Sequence, residues 1–258
     1  MNIHAACFSP TGTSKTIVSH IAKSISMNYT LHDFTLANKR KSSLTFNEDD
    51  CLILGLPVYA GRIPLIVEDY VKRIKGSKTL AVIVVLYGNR DYDDALIEMY
   101  DILSENGFHP IAGAAFIGEH SYTDQVAHSR PNSNDLEICH KFAKNILPLL
   151  EKDPLGFKLS LKGNRPYRER TISKALGPIV NENCFKCRLC IGKCPVGALS
   201  LNNSIQVDET ICIKCHACVK SCPVDAINFD ERLEPVRKWL IDEHSSPKSL
   251  ELFLGKER

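Results

Sequence analysis

Eight of the eleven cysteines fall between Cys184 and Cys222, in a pattern that occurs twice. Cys184, Cys187, Cys190, Cys194 and Pro195 recur 28 positions later as Cys212, Cys215, Cys218, Cys222 and Pro223. The flanks repeat too: Val196, Ala198 and Leu199 match Val224, Ala226 and Ile227. Repeated sequence predicts two copies of one structural unit about a pseudo-two-fold axis. Three thiolates at a spacing of three can wrap one face of an iron–sulfur cubane, and a fourth just before proline is steered to the other cubane. The spacing therefore predicts two [4Fe–4S] clusters. One is expected on Cys184, Cys187, Cys190 and Cys222, the other on Cys212, Cys215, Cys218 and Cys194. Gly197, Ala198 and Ala217 are small enough to leave room for the inorganic core. A zinc ribbon uses paired C-x2-C knuckles and has no role for the third cysteine or the proline. Cys212-Ile213-Lys214-Cys215-His216 also fits the C-x-x-C-H haem spacing, but it lies inside the longer pattern and no export signal supports it. His216 is then expected to be a loop residue beside the second cluster.

The remaining composition narrows the setting. A formal net charge of +2 over 258 residues gives no strong pull toward nucleic acid or anionic lipid, so neither is an expected partner. The longest apolar run, Leu80 to Tyr87, suits a buried strand and is far too short to span a membrane. Met1-Asn2-Ile3-His4 lacks the charged-then-apolar pattern of a signal peptide, so none is expected, and neither is a location outside the cytoplasm. Cysteines there stay reduced. Cys7, Cys51 and Cys139 stand apart from the repeat and read as small buried hydrophobes.

Residues 1–150 have a different rhythm. Short apolar runs at Ile3–Phe8, Tyr29–Phe34, Cys51–Leu56, Leu80–Tyr87 and Ile111–Ile117 read as strands. Helical spacing lies between or after them at Ser14–Ser26, Ile66–Ile74, Asp94–Asn106 and Asp135–Leu150. Five strands alternating with helices predict an α/β domain with a parallel sheet covered on both faces. Ligands of such sheets bind in the loops at the carboxyl ends of the strands.

Three of those loops carry binding chemistry. The first strand runs into Ser9-Pro10-Thr11-Gly12-Thr13-Ser14 at the start of a helix. Hydroxyls, a glycine and free helix N–H groups there suit a phosphate monoester, and a plain Ser/Thr helix cap is the competing reading. The third strand leads into Pro57-Val58-Tyr59-Ala60-Gly61-Arg62, and the fourth into Gly88-Asn89-Arg90-Asp91-Tyr92-Asp93. Each offers an aromatic ring and glycine-permitted backbone contact, so a flat isoalloxazine could sit between Tyr59 and Tyr92, and FMN is the expected ligand. The competing reading makes these tyrosines ordinary rim aromatics. The spacing is not that of a Walker A loop, and the chain has no G-x-G-x-x-G dinucleotide fingerprint.

At these residues the chain resembles known families. Residues 1–150 resemble a flavodoxin: Ser9 to Ser14 match its phosphate loop, and Gly88 to Tyr92 the loop with its stacking tyrosine. C-x2-C-x2-C-x3-C-P is the run of bacterial ferredoxins. The whole chain resembles the fused flavodoxin–ferredoxin proteins of anaerobes, with Pro57-Val58-Tyr59, Gly61-Arg62, Tyr87 to Arg90 and the Glu251-Leu252-Phe253-Leu254 tail in keeping. The resemblance implies a five-stranded flavodoxin-like sheet, then a small α+β ferredoxin domain. Flavodoxins are strongly acidic, whereas this chain carries Arg62 and Arg90 in its flavin loops, which predicts positive charge near the ring. The expected division is 1–150 for the FMN-binding domain, 151–178 for a basic connector, 179–230 for the two-cluster domain and 231–258 for a tail packed on the body. Lys152, Lys158, Lys162, Arg165, Arg168, Arg170 and Lys174 make the connector basic, either as a solvated linker packed on one domain or as a docking site for an acidic partner. Val236, Trp239, Leu240, Leu250, Leu252, Phe253 and Leu254 are too apolar for a loose tail.

Two classes of function follow. One is an electron carrier that passes single electrons between clusters and flavin and exchanges them with a protein redox partner. The other is a flavin-dependent reductase of a small organic substrate with the clusters as electron inlet. An enzyme would need a pocket and a proton donor, for which Tyr59, Tyr92, His120 and Tyr122 are the candidates. The sequence leaves open whether the chain is an enzyme, and names no catalytic residue.

Overall fold

The computed structural model describes residues 1–151, 156–170 and 175–257. The first part runs β1 (Asn2–Cys7), α1 (Thr13–Ile25), β2 (Tyr29–Asp33), β3 (Thr45–Phe46), β4 (Asp50–Pro57), α2 (Leu65–Arg73), β5 (Lys75–Gly76), β6 (Thr79–Tyr87), α3 (Ala95–Glu105), β7 (Phe108–Ile117) and α4 (Ser133–Leu150). Then come β8 (Phe157–Lys158), β9 (Ile179–Val180), α5 (Leu189–Lys193), β10 (Leu199–Leu201), β11 (Ile205–Val207), α6 (Ala217–Lys220) and β12 (Ile227–Asn228). The chain closes with α7 (Glu234–His244), β13 (Glu251–Leu254) and β14 (Lys256–Glu257).

Five parallel strands lie in the order β7-β6-β4-β1-β2. That is the flavodoxin order, in which the chain reverses direction at β1 and leaves a crevice beside it. Every residue of β6 is buried, as a central parallel strand covered on both faces requires. One apolar layer joins the sheet to α2 and α3 through Val67, Val71, Leu96 and Met99. The other joins it to α1 and α4 through Ile17, Val18, Ile21 and Phe142. At Gly55 a Cβ would collide with a methyl of Val18, so α1 crosses β4 where only glycine admits it. This close approach aims the start of α1 at the carboxyl edge of the sheet. Asn132 begins α4 with a reciprocal capping box to Asp135.

The sheet has a sixth strand. β13 pairs antiparallel with β7, from Glu251↔Ala115 to Leu254↔Ala112. Leu240 is buried, and Leu250, Phe253 and Leu254 pack on the two apolar layers. Val236 and Trp239 instead remain exposed, because α7 is amphipathic and turns that face outward. Beyond the edge strand, β14 pairs with β8 of the connector.

Four of the connector's cations are matched by carboxylates of the first part or of β13, while the exposed Lys158 meets no carboxylate among the described residues. Arg165 meets Asp101 at 2.5 Å, Arg168 meets Asp93 at 2.6 Å, and Lys162 meets Glu251. Arg170 reaches Glu68 at 2.6 Å and Glu98 at 2.8 Å. Lys152 and Lys174 lie outside the described residues. The segment is thus a strap held to the flavodoxin-like part by surface and half-buried ion pairs. Glu98 is the strap's buried anchor: it also accepts from Arg62 Nε at 2.8 Å and from the Ile63 amide at 2.9 Å. Breaking a buried pair of this kind costs about 3–5 kcal/mol, since an uncompensated charge is left behind.

Candidate functional site

Residues 175–230 fold as two interleaved copies of one unit. β9 of the first copy pairs with β12 of the second, and β10 pairs with β11. The copies share their backbone turns. Lys186 and Lys214 hold φ of 61° and 55°, Arg188 and His216 hold 66° and 55°. Gly197 and Asp225, again 28 positions apart, both adopt left-handed φ. These turns bend each C-x2-C-x2-C loop so that its sulfurs face one side.

Two cavities open where those sulfurs face. Cys184, Cys187, Cys190 and Cys222 line one. Cys194, Cys212, Cys215 and Cys218 line the other. Each therefore combines three cysteines of one copy with the pre-proline cysteine of the other. Among the described residues no group of three or more His, Cys, Asp or Glu side chains is drawn together as an ion site. Four sulfurs spaced around an apolar cavity suit a larger inorganic core. The donor set fits in a second way: the Ala198 amide donates to Cys194 Sγ and the Ala226 amide to Cys222 Sγ, both at 3.2 Å. Such bonds favour the thiolate over the thiol. Burial acts oppositely, pushing Cys215 and Cys218 up to about 12, so a cation is needed to hold these sulfurs ionised.

The loop after β1 is built to receive an anion. Gly12 takes φ 91° just ahead of α1, no side chain caps the helix, and its first turn contains no acid. Ser9 ties the loop together, its amide donating to Thr35 Oγ1 at 2.8 Å and its hydroxyl accepting from the Lys15 amide at 2.9 Å. The Ser14 hydroxyl is buried with no hydrogen-bond partner among the described residues. Thr13 rests against Gly118 at the end of β7, where a Cβ would come within 3.3 Å of its side chain. An uncapped helix start with an orphaned hydroxyl is what a phosphate monoester would satisfy. Thr35 and Gly118 were not among the sequence candidates; only the parallel β1–β2 pairing brings Thr35 to Ser9.

The two tyrosine loops differ from each other. Tyr59 stands half-buried in a tight turn closed by mutual amide–carbonyl bonds with Arg62. Burial first, then Cys215, Tyr122 and Cys212 beside it, push its hydroxyl well above the ordinary range. Tyr92 is only 3% exposed. Its ring packs on Tyr87, and its hydroxyl reaches Glu251 of β13 at 3.1 Å. The expected sandwich of a flat ring between Tyr59 and Tyr92 is therefore not formed, because the edge strand draws Tyr92 into the apolar layer. Asn89 is likewise buried, its amide nitrogen donating to the carbonyls of His244 at 2.6 Å and Ser246 at 2.8 Å. Gly88 carries the His120 ring directly on its backbone. The expected free cations are neutralised as well: Arg90 pairs with Asp93, and Arg62 with Glu98. Val58 packs on the apolar layer beside β4, Pro57 ends that strand, and Ala60 and Gly61 form the left-handed tip of the turn.

The second cysteine cavity faces this sheet edge. His216, next to Cys215, bonds through Nδ1 to the Ser121 carbonyl at 3.0 Å. Tyr122 lies against His216 at 4.7 Å and Phe229 at 5.5 Å between ring centres. His120 sits 5.3 Å from Tyr122. Burial lowers His120 to about 4, so it is neutral at neutral pH. Arg40 Nη2 donates to the Pro195 carbonyl at 2.7 Å, and Lys220 pairs with Glu119 at 2.5 Å. These contacts, with Tyr59 beside Cys215 and Cys212, set the residues of the second cysteine cavity against the segments after β2, β4 and β7.

Residues 181–197 and 205–228 each match a family described as a 4Fe-4S binding domain. Solved structures similar to the first part include an archaeal flavodoxin at 15% identity, covering 59% of this chain and 100% of that one, with a TM-score of 0.42. Flavodoxin 2 of Bacillus cereus shares 17% identity over 58% of this chain and 99% of its own, with a TM-score of 0.43. A Fusobacterium nucleatum flavodoxin variant bound to flavin mononucleotide shares 14% over 58% and 97%, with a TM-score of 0.40. No curated protein matches the chain. The strand order defines a flavodoxin-like α/β fold, and the two matched segments mark a 4Fe-4S binding region after it. The chain is a fusion of a flavodoxin-like α/β fold with a ferredoxin-type [4Fe–4S]-binding region. Among the described residues, no helix is long and apolar enough to cross a membrane.

Proposed function

We propose that this chain is an electron carrier that holds two [4Fe–4S] clusters and one FMN and exchanges single electrons with a protein redox partner. The observation that carries the reading is the placement of the Cys194, Cys212, Cys215 and Cys218 cavity against the loop after β7, at the carboxyl edge of the sheet where the loop after β1 also lies. When bound, the clusters supply low-potential one-electron storage and the flavin stores one or two electrons. The protein's own residues bind, orient and shield. Cys184, Cys187, Cys190 and Cys222 hold one cluster, and Cys212, Cys215, Cys218 and Cys194 the other. The apolar residues Leu199, Ile205 and Ile227 exclude water between them. Ser9, Thr11, Gly12, Thr13 and Ser14 hold the FMN phosphate. Pro57 to Gly61 border the ring with Tyr59 as its aromatic contact, while Gly88, Asn89, Arg90, Tyr92 and Asp93 support the site from behind, clamped by the tail.

In this reading residues 1–150 bind the flavin, 151–178 strap the two parts together, 179–230 hold the clusters and 231–258 close the sheet edge, in a cytoplasmic protein. Tyr122, His216 and Phe229 fill the junction with protein. That filling favours a carrier over a reductase with an open substrate pocket. Protein purified without oxygen is expected to contain about eight iron, about eight acid-labile sulfide and one dissociable FMN per chain. Zinc without sulfide, or FAD in place of FMN, would refute the assignment.

A further inference from the structure

The internal repeat equates each residue of the first copy with one of the second, yet the two copies have different surroundings. Ile213, His216 and Ala217 of the second copy meet the flavodoxin-like part: Ile213 packs on its apolar layer, His216 bonds to Ser121, and Ala217 is buried. Their counterparts in the first copy are Phe185, Arg188 and Leu189, and these face solvent. Phe185 is 61% exposed and Leu189 50% exposed. Cys187 is exposed where its counterpart Cys215 is buried. One copy thus uses this face for an interface within the chain, and the other copy leaves the equivalent face uncovered.

We infer that the face formed by Phe185, Lys186, Arg188 and Leu189 is a docking surface for a separate, acidic electron-carrier protein. The inference rests on the proposal that the cavity behind this face holds a cluster. Charge selects the partner. Lys186 and Arg188 line that cavity, whose lining holds no carboxylate. Neither meets a carboxylate among the described residues, unlike Arg165, Arg168 and Arg170 of the strap. An apolar centre within a basic rim complements a partner whose own apolar patch is ringed by carboxylates. The rim steers encounter and sets register, and the apolar centre supplies the desolvated contact.

The test is equilibrium binding of an oxidised, acidic [2Fe–2S] ferredoxin, used as a probe, to the full anaerobically purified chain. Binding that weakens with salt is expected. Lys186→Glu combined with Arg188→Glu should weaken it at least about tenfold, and Glu182→Lys should tighten it. Phe185→Ser should weaken it at both low and high salt. Iron content of each variant is measured alongside. A wild-type chain without iron refutes the cluster reading itself. Iron-replete variants that bind the probe like the wild type overturn the docking inference alone. So does a basic c-type cytochrome that binds this face more tightly than the acidic probe, or sedimentation showing that two copies of the chain cover it.

Discussion

Replacing Cys194 with alanine is expected to halve the iron content, from about eight to about four per chain. Cys194 belongs in sequence to the first cysteine copy, but its sulfur lines the cavity of Cys212, Cys215 and Cys218. The surviving cluster should therefore be the one near Cys184, and paired substitutions identify it. Cys194→Ala with Cys212→Ala should lose no more iron than Cys194→Ala alone. Cys194→Ala with Cys184→Ala should lose nearly all of it. Cys139→Ala, at a buried thiol outside both cavities, should leave the iron count unchanged. If Cys194 and Cys184 instead behave as partners in one cluster, the crossed ligand sets are wrong.

Thr13→Glu is expected to empty the flavin site while the fold persists. The substitution places a carboxylate at the uncapped start of α1, beside Gly118, where the phosphate would lie. Two like charges about 4 Å apart at an effective dielectric of about 20 repel by about 4 kcal/mol, enough to weaken binding roughly a thousandfold. The same carboxylate favours the helix itself by about 0.3–1 kcal/mol, since it sits at the positive end of the dipole. Fluorescence titration of flavin-free protein with FMN measures the loss, and an unchanged iron count shows that the second part is intact. Full FMN occupancy in Thr13→Glu would place the phosphate elsewhere.

The five parallel strands were legible because each is a short apolar run bounded by loop residues, with amphipathic helical spacing following. The cysteine repeat was legible because its spacing is itself the chemistry. What the sequence hid are partnerships between distant residues. Tyr92 reads as a loop aromatic, and nothing local signals that Glu251, 159 positions away, takes its hydroxyl. The run Leu252-Phe253-Leu254 shows that the tail must pack, but an apolar run of that length does not say that it will add a strand to β7. The strap arginines read as one basic run, while Glu68, Asp93, Glu98 and Asp101, which receive them, are scattered through the first part. Arg62 looked like a free cation for the same reason, since Glu98 lies 36 positions away. Nor does a near-perfect repeat disclose that one copy is covered and the other bare; that asymmetry arises only where His216 meets Ser121 and Ile213 meets the apolar layer.

The central claim is that electrons move between the clusters and the flavin within one chain. The geometry behind it is the contact of the residues around the second cysteine cavity with the segments after β2, β4 and β7, and fusion raises the local concentration of one redox part around the other. Rapid anaerobic mixing with a reductant that reaches the clusters first, followed at separate cluster and flavin wavelengths over a range of protein concentrations, tests it. The account predicts that cluster reduction precedes flavin reduction, and that the second phase has the same rate at every protein concentration. A flavin phase whose rate rises in proportion to protein concentration would mean that electrons pass between molecules, and would contradict it.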